Sequence, residues 1–183
     1  MSAMVLVWRM WGHVILSAVL AIPVAVLAAR LLARRRAALG HPHPARTAYA
    51  DIAMIVATLP WLWMVLTPGS GTEGVNLVPF RDLAAVLRAP AATAIVQVGG
   101  NLLVFAALGA LLPVRSARFA RLWSVALVAA AASVTVEALQ FGLRLHRVSS
   151  IDDVLLNTAG AVLAAIMTLR WHAARTAART VPR

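Results

Sequence analysis

Apolar windows separated by short polar connections set the pattern of this chain. Residues 11–30, 49–66, 91–112 and 123–143 are long and nearly free of charge, and residues 154–169 form a shorter fifth window with charge on both flanks. Crossing a hydrocarbon core of about 30 Å takes about 20 helical residues, and about 17 suffice when flanking groups reach the headgroups. The pattern predicts an all-α, polytopic membrane helix bundle of about five transmembrane helices. The fifth can span if Asp152 and Asp153 sit in the interface.

The connection at 68–90 differs from the others. It opens with Pro68, Gly69, Gly71 and Gly74, then tightens into Asn76-Leu77-Val78-Pro79-Phe80-Arg81-Asp82. Phe80, Leu83 and Leu87 then recur at the spacing of one helix face, which predicts a short interfacial or re-entrant loop helix over 82–88. Such a helix needs no ligand to account for it.

Composition agrees with the membrane reading. The chain is 62% hydrophobic with a mean hydropathy of +0.84, against about 45–50% apolar residues in a soluble domain. Five spans leave no room for a separate soluble domain. The expected division is a first span with a basic loop (1–48), a membrane domain (49–170) and a basic tail (171–183). A net charge of +11 and a pI near 12 would suggest nucleic acid in a soluble protein. Here all seventeen basic residues are arginine, and they alternate between connections instead of forming one patch, so no nucleic-acid partner is expected.

Twelve arginines belong to one side: Arg30, Arg34, Arg35, Arg36 and Arg46, then Arg115, Arg118 and Arg121, then Arg170, Arg175, Arg179 and Arg183. Arg9, Arg81, Arg88, Arg144 and Arg147 belong to the other. The positive-inside rule then predicts a bacterial plasma-membrane protein with its N-terminus outside and its C-terminus cytoplasmic. The abundance of alanine and the absence of lysine fit a GC-rich bacterial genome. The first window is too long for a signal-peptide core, and its arginines follow it, so a retained span is expected.

Cysteine is absent, which removes disulfides, thiolate nucleophiles and cysteine metal sites. His41 and His43 read as solvated loop residues, and no metal or cofactor is expected. Trp8, Trp11, Trp61, Trp63, Trp123 and Trp171 fall near span ends and read as interfacial anchors.

Candidate chemistry gathers between 137 and 157. Half of the six acidic residues lie there, together with Gln140, Arg144, Arg147 and Asn157. An ionisable residue at mid-depth costs about 2.5–3.5 kcal/mol on insertion scales. Glu137 therefore demands a partner among Arg81, Arg144 and Arg147, or a carboxyl that keeps its proton. Ser133, Glu137, Gln140 and Arg144 share one helix face; Asp153, Asn157 and Gly160 share another; Gln97, Asn101, Phe105 and Gly109 share a third. With five spans, these faces and the Asn76 loop converge at one outer level, and Gly100, Gly109 and Gly160 would let the helices approach closely. Plainer roles compete. Ser150 with Asp153 reads as a variant capping box, Asp152 as a cap of the fifth helix, and Asn101 and Asn157 equally well as interhelical glue.

The segments Asn76-x-x-Pro79-Phe80, Asn101-x-x-x-Phe105-x-x-x-Gly109, Glu137-x-x-Gln140, Arg147 and Asp152-Asp153-x-x-x-Asn157-x-x-Gly160 resemble the motif set of the VanZ-like membrane proteins. The resemblance covers roughly 49–169. One position departs from it: Ala107 precedes Leu108-Gly109 where the family usually carries proline, so no proline kinks the third span. The family is named for a member associated with low-level resistance to teicoplanin, a lipid-bearing glycopeptide. The resemblance implies an envelope setting and no defined reaction.

Three functions compete. The favoured one is an outer-face module, not demonstrably enzymatic, that binds an amphiphilic envelope ligand through Asn76, Pro79, Phe80, Arg81, Asn101, Glu137, Gln140, Arg147, Asp152, Asp153 and Asn157. Residues 76–81 would form its lid, and Glu137, Arg147, Asp153 and Asn157 its polar floor, with the bilayer accommodating a lipid tail. The second is a membrane enzyme acting on a lipid-linked or phosphorylated substrate, with Glu137 and Asp153 as an acid/base pair or Glu137 and Asp152 on a divalent cation. Ser149, Ser150 and His146 offer it no oriented nucleophile. The third is a structural subunit of an envelope complex, contacting an unspecified protein through 68–90. Transport is disfavoured because the inner halves of the spans offer no ionisable relay.

Overall fold

The computed structural model describes residues 3–179, with side chains from Met4 to Thr168 apart from Leu6. The anchor reading of Trp171 and the basic-tail reading of Arg170, Arg175, Arg179 and Arg183 lie outside the described side chains. The elements run α1 (Ala3–Leu20), α2 (Ile22–Ala38), α3 (Pro44–Leu66), β1 (Gly74–Asn76), α4 (Arg81–Leu87), α5 (Ala91–Val104), α6 (Ala106–Arg115), a 3-10 turn (Ala117–Phe119), α7 (Leu122–Gly142), β2 (Val148–Ser150) and α8 (Ile151–Arg179). Five stretches are long and apolar enough to cross a membrane: Val7–Ala38, Pro44–Leu66, Ala91–Arg115, Leu122–Gly142 and Ile151–Thr168. The protein is a multi-pass helical bundle, and its fifth span is part of one unbroken helix.

The first span is longer than the window 11–30. At about 1.5 Å per residue, the 32 residues Val7–Ala38 exceed the thickness of the hydrocarbon core, and the helix breaks between α1 and α2. Pro23, in the first turn of α2, has no N–H to offer the preceding turn. Hydrogen bonds from Ala21 to Ser17 and from Ala25 to Ala21 cross the break, so it is a kink and not a loop. The basic loop expected after the first span is only residues 39–43. Arg34, Arg35 and Arg36 belong to α2, with Arg35 and Arg36 in its last turn, where cations oppose the helix dipole. Gly40 and His43 reverse the chain with φ of 69° and 52°.

Asp51 is half-buried on α3. Its two carboxylate oxygens accept Arg36 Nη2 and Arg115 Nε, each at 2.6 Å, tying α2, α3 and α6 together. Arg46 Nε donates to the Val114 carbonyl at 2.9 Å, near the end of α6. These contacts form a clamp and not a chain of titrating groups.

The third span bends at Phe105 (φ −113°, ψ 15°), although no proline precedes Leu108-Gly109. Its cause lies in α8. A side chain at Gly160 would strike the backbone carbonyl of Leu102, and one at Gly109 would strike that of Ala161. These two backbone contacts straddle Phe105, whose ring is buried with Val104, Val125, Ala129, Val136, Ala161 and Ala165 in the core. Gly100, expected to aid the approach, meets nothing within 4 Å. Trp61 is half-buried and packs against this core; Trp8, Trp63 and Trp123 stay exposed.

A two-stranded parallel ladder adds to the helical expectation. β1 pairs with β2 in the register Gly74↔Val148, Val75↔Ser149 and Asn76↔Ser150. Gly69 N–H donates to the Leu145 carbonyl and Gly71 N–H to the His146 carbonyl just before it. The connections following α3 and α7 thus satisfy one another's backbone groups close to the membrane, where an unpaired group is costly. We call this end of the bundle the ladder end, and the opposite one the arginine-rich end.

Candidate functional site

Asp152 organises the ladder end. It begins α8, yet its carboxylate does not cap α8: Oδ1 accepts the Phe80 N–H at 2.5 Å, and Oδ2 accepts those of Asp82 and Leu83 at 2.9 Å each. The side chain is buried and supplies, from 70 residues away, the cap that α4 lacks locally. This replaces the expected role as a cap of the fifth helix. Ser150 takes that role, its Oγ accepting the Asp152 N–H at 3.2 Å and donating to Asp82 Oδ2 at 2.6 Å. Asp153 does not close the capping box, because its carboxylate turns to Asn101.

These bonds hold the chain through a turn its own residues resist. Phe80 has φ of 64°, a left-handed conformation that is uncommon outside glycine. Its ring is exposed, as are Leu77, Val78 and Pro79. Asn76 is buried with its Oδ1 accepting the Val78 N–H, while its Nδ2 has no partner. Arg81 and Arg144 are exposed and make no side-chain hydrogen bond or ion pair among the described residues.

Glu137 is buried on α7, and none of the three candidate arginines lies within ion-pair distance of it. Oε2 accepts the Ser150 N–H at 3.0 Å instead, and Ser149 Oγ donates to the Glu137 carbonyl at 3.0 Å. The carboxylate is thereby fixed to β2 by a backbone donor. Arg147 faces α3, with Nε donating to the Thr67 carbonyl at 3.0 Å and Nη2 to that of Met64 at 3.4 Å. It closes the C-terminal end of α3, where a cation is favoured by the dipole. Its field still reaches Glu137 and Asp153. Gln140 Nε2 donates to the Val65 carbonyl at 2.8 Å, joining α7 to the same turn of α3.

Two side-chain pairs complete the cluster below these caps. Asn101 Nδ2 donates to Asp153 Oδ1 at 2.5 Å, and Asn157 Nδ2 to Ser133 Oγ at 2.8 Å. They connect α8 to α5 and α7, as interhelical glue would. Asn157 Oδ1 remains buried without a partner. The faces containing Ser133, Glu137 and Gln140, and Asp153, Asn157 and Gly160, turn inward as their spacing predicts. Arg144 does not join the first, because α7 ends at Gly142 and Arg144 turns out with φ of 51°. Gln97 is exposed, one helical turn before Asn101 on α5.

The arrangement limits what chemistry is available. Both oxygens of Asp152 are occupied by three N–H donors, so Glu137 and Asp152 do not present a pair of open carboxylates to a divalent cation. Among the described residues, no group of three or more His, Asp or Glu could hold a metal ion. The Ser149 and Ser150 hydroxyls donate to the Glu137 carbonyl and to Asp82, and neither is bonded to His146, which lies 3.8 Å from Glu73. Asp82 is the residue whose part in the cluster sequence reasoning missed. Its position at the start of the short helix expected over 82–88 gives no sign of a bond to Ser150, 68 residues away.

Residues 47–172 match the family described as VanZ/LLP1. No curated protein and no solved structure matches the chain.

Proposed function

The chain belongs to the VanZ/LLP1 family, and on that premise we propose that it binds an amphiphilic molecule of the bacterial envelope, with the polar head at the ladder-end cluster and the tail between spans. The observation that carries this reading is where two features meet. An apolar groove of about 500 Å³ lies between the kinked α1/α2 helix and α3, walled by residues such as Val14, Ala18, Ala25, Val56 and Pro60 and reaching Met64. Such a volume is typical of small-molecule sites. The Met64 carbonyl is one of the two that Arg147 holds, so the groove ends beside the polar cluster.

A tail in this groove would exchange bilayer contacts for contacts with α1, α2 and α3. The head would then meet the half-buried Arg147 at the edge of the cluster. The arginine-rich end would face the cytoplasm under the positive-inside rule, which puts the ladder end on the outer face, where a glycopeptide acts. Exposed Phe80, Arg81 and their neighbours would form the lid. Teicoplanin-type lipoglycopeptides combine a lipid tail with a polar head, and the family context makes them the first probe.

The test compares cells with no protein, wild-type protein and the Glu137→Gln/Asp153→Asn double variant at matched expression, using a fluorescent teicoplanin-type lipoglycopeptide. Wild type is expected to retain more of the probe at the surface than cells without protein, and the variant to leave binding at the level of those cells. Equal binding in all three would overturn the reading. If Glu137→Gln alone removes the protein from the membrane, Glu137 is a packing residue and not part of the site.

A further inference from the structure

The arginine-rich end holds a second cavity, far along the helices from the ladder. It measures about 580 Å³ and lies between the 3-10 turn and the start of α7, with Arg118, Arg121, Trp123, Ser124, Leu127 and Val128 among its walls. We propose that it is a binding site for an anionic phospholipid, the phosphate held by Arg118 and Arg121 and an acyl chain laid along Trp123 and Leu127.

The arginines at this end differ in whether their guanidinium is already held. At this end Arg36 and Arg115 are committed to Asp51, and Arg46 donates to the Val114 carbonyl. Arg118 and Arg121 are exposed and make no side-chain hydrogen bond or ion pair among the described residues, yet both line the same cavity. A guanidinium presents a planar fork that suits phosphate oxygens, and the Ser124 hydroxyl adds a donor on the same wall. The first turn of α7 carries no acidic residue to oppose an anion.

The remaining wall selects a lipid over a soluble phosphate. Trp123 and Leu127 are separated by one helical turn, and each is more than 60% exposed. They lie in the spanning segment Leu122–Gly142, so this stripe faces acyl chains. The indole sits at the level where aromatic rings favour the headgroup boundary. Charge above and an apolar stripe below match the two ends of an anionic phospholipid, and basic pockets beside spans are a recurring form of headgroup recognition.

The experiment uses the purified full-length protein in nanodiscs of phosphatidylcholine, with and without phosphatidylglycerol, and reads the thermal unfolding midpoint together with lipid retained in native mass spectrometry. Wild type should be stabilised by phosphatidylglycerol and retain it. Arg118→Gln/Arg121→Gln should keep the phosphatidylcholine midpoint and bind phosphatidylglycerol roughly tenfold more weakly or worse. Arg34→Gln/Arg35→Gln, which removes the same charge from an exposed face of α2, should behave as wild type. Equal losses in the two double variants would reduce the effect to surface charge and overturn the site. Equal stabilisation by soluble glycerol phosphate would overturn the lipid assignment.

Discussion

Gly160→Ala should leave the bundle severely destabilised, while Gly100→Ala should be neutral or stabilising by up to about 1 kcal/mol. An added Cβ at Gly160 would lie 2.6 Å from the Leu102 carbonyl carbon and 2.7 Å from its Cα, and closer still to the oxygen. Those are backbone atoms, so no rotamer change relieves the overlap. The third span must move away from α8, which stretches the Asn101–Asp153 pair and opens the core around Phe105. Overpacking a fitted core typically costs about 1–3 kcal/mol, and a backbone clash belongs at or above the top of that range. The gain in helix propensity from glycine to alanine, about 1 kcal/mol, offsets only part of it. Gly109→Ala repeats the clash against Ala161, whereas Gly100 has open space around it. Unfolding of the purified variants in mild detergent decides the matter, and equal stability of Gly160→Ala and Gly100→Ala would refute this crossing.

The second large effect concerns Asp152. Asp152→Ala removes both acceptors from the N–H groups of Phe80, Asp82 and Leu83. An unsatisfied buried donor costs about 1–3 kcal/mol; because the loop is part-exposed, water recovers some of this, and a total of about 3 kcal/mol is expected. Phe80 then loses the acceptor that holds its own N–H in the left-handed turn, and α4 should loosen without global unfolding. Amide exchange at 80–83 should accelerate about 100-fold, at a factor of ten per about 1.4 kcal/mol. Asp152→Asn keeps one acceptor but turns an N–H₂ toward the donors, so it should fall between the two. Asp153→Asn, which touches only Asn101 among these groups, should leave that exchange unchanged. Unaltered exchange in Asp152→Ala would mean that α4 is held by its apolar face.

What the chain discloses in advance follows from the range of each interaction. Spans are legible because hydropathy is a local sum, and the inward faces of α7 and α8 are legible because Glu137 and Gln140, or Asp153 and Asn157, repeat with the helix. Asp152 reads as a local cap because it stands at a helix start; its partners are about 70 residues distant, and only the meeting of the two connections reveals them. The ladder, three residues on each strand, is too short to show alternation. Arg147 looked like a counterion for Glu137, but the open carbonyls at the end of α3 were the nearer acceptors. Asp51 interrupts an apolar window by a single residue, and nothing in its neighbourhood announces Arg36 and Arg115. The bend at Phe105 arises from glycines on either side of a helix crossing, and a search for proline misses it.

On the proposed topology the ladder end faces outward and takes its ligand from that side. The chain contains no cysteine, so Thr72→Cys beside the ladder and His41→Cys in the turn between α2 and α3 each introduce a sole thiol at an exposed position. Labelling of intact cells with a membrane-impermeant maleimide should modify Thr72→Cys, and His41→Cys only after the membrane is permeabilised. The reverse pattern would place the cluster in the cytoplasm and contradict the account.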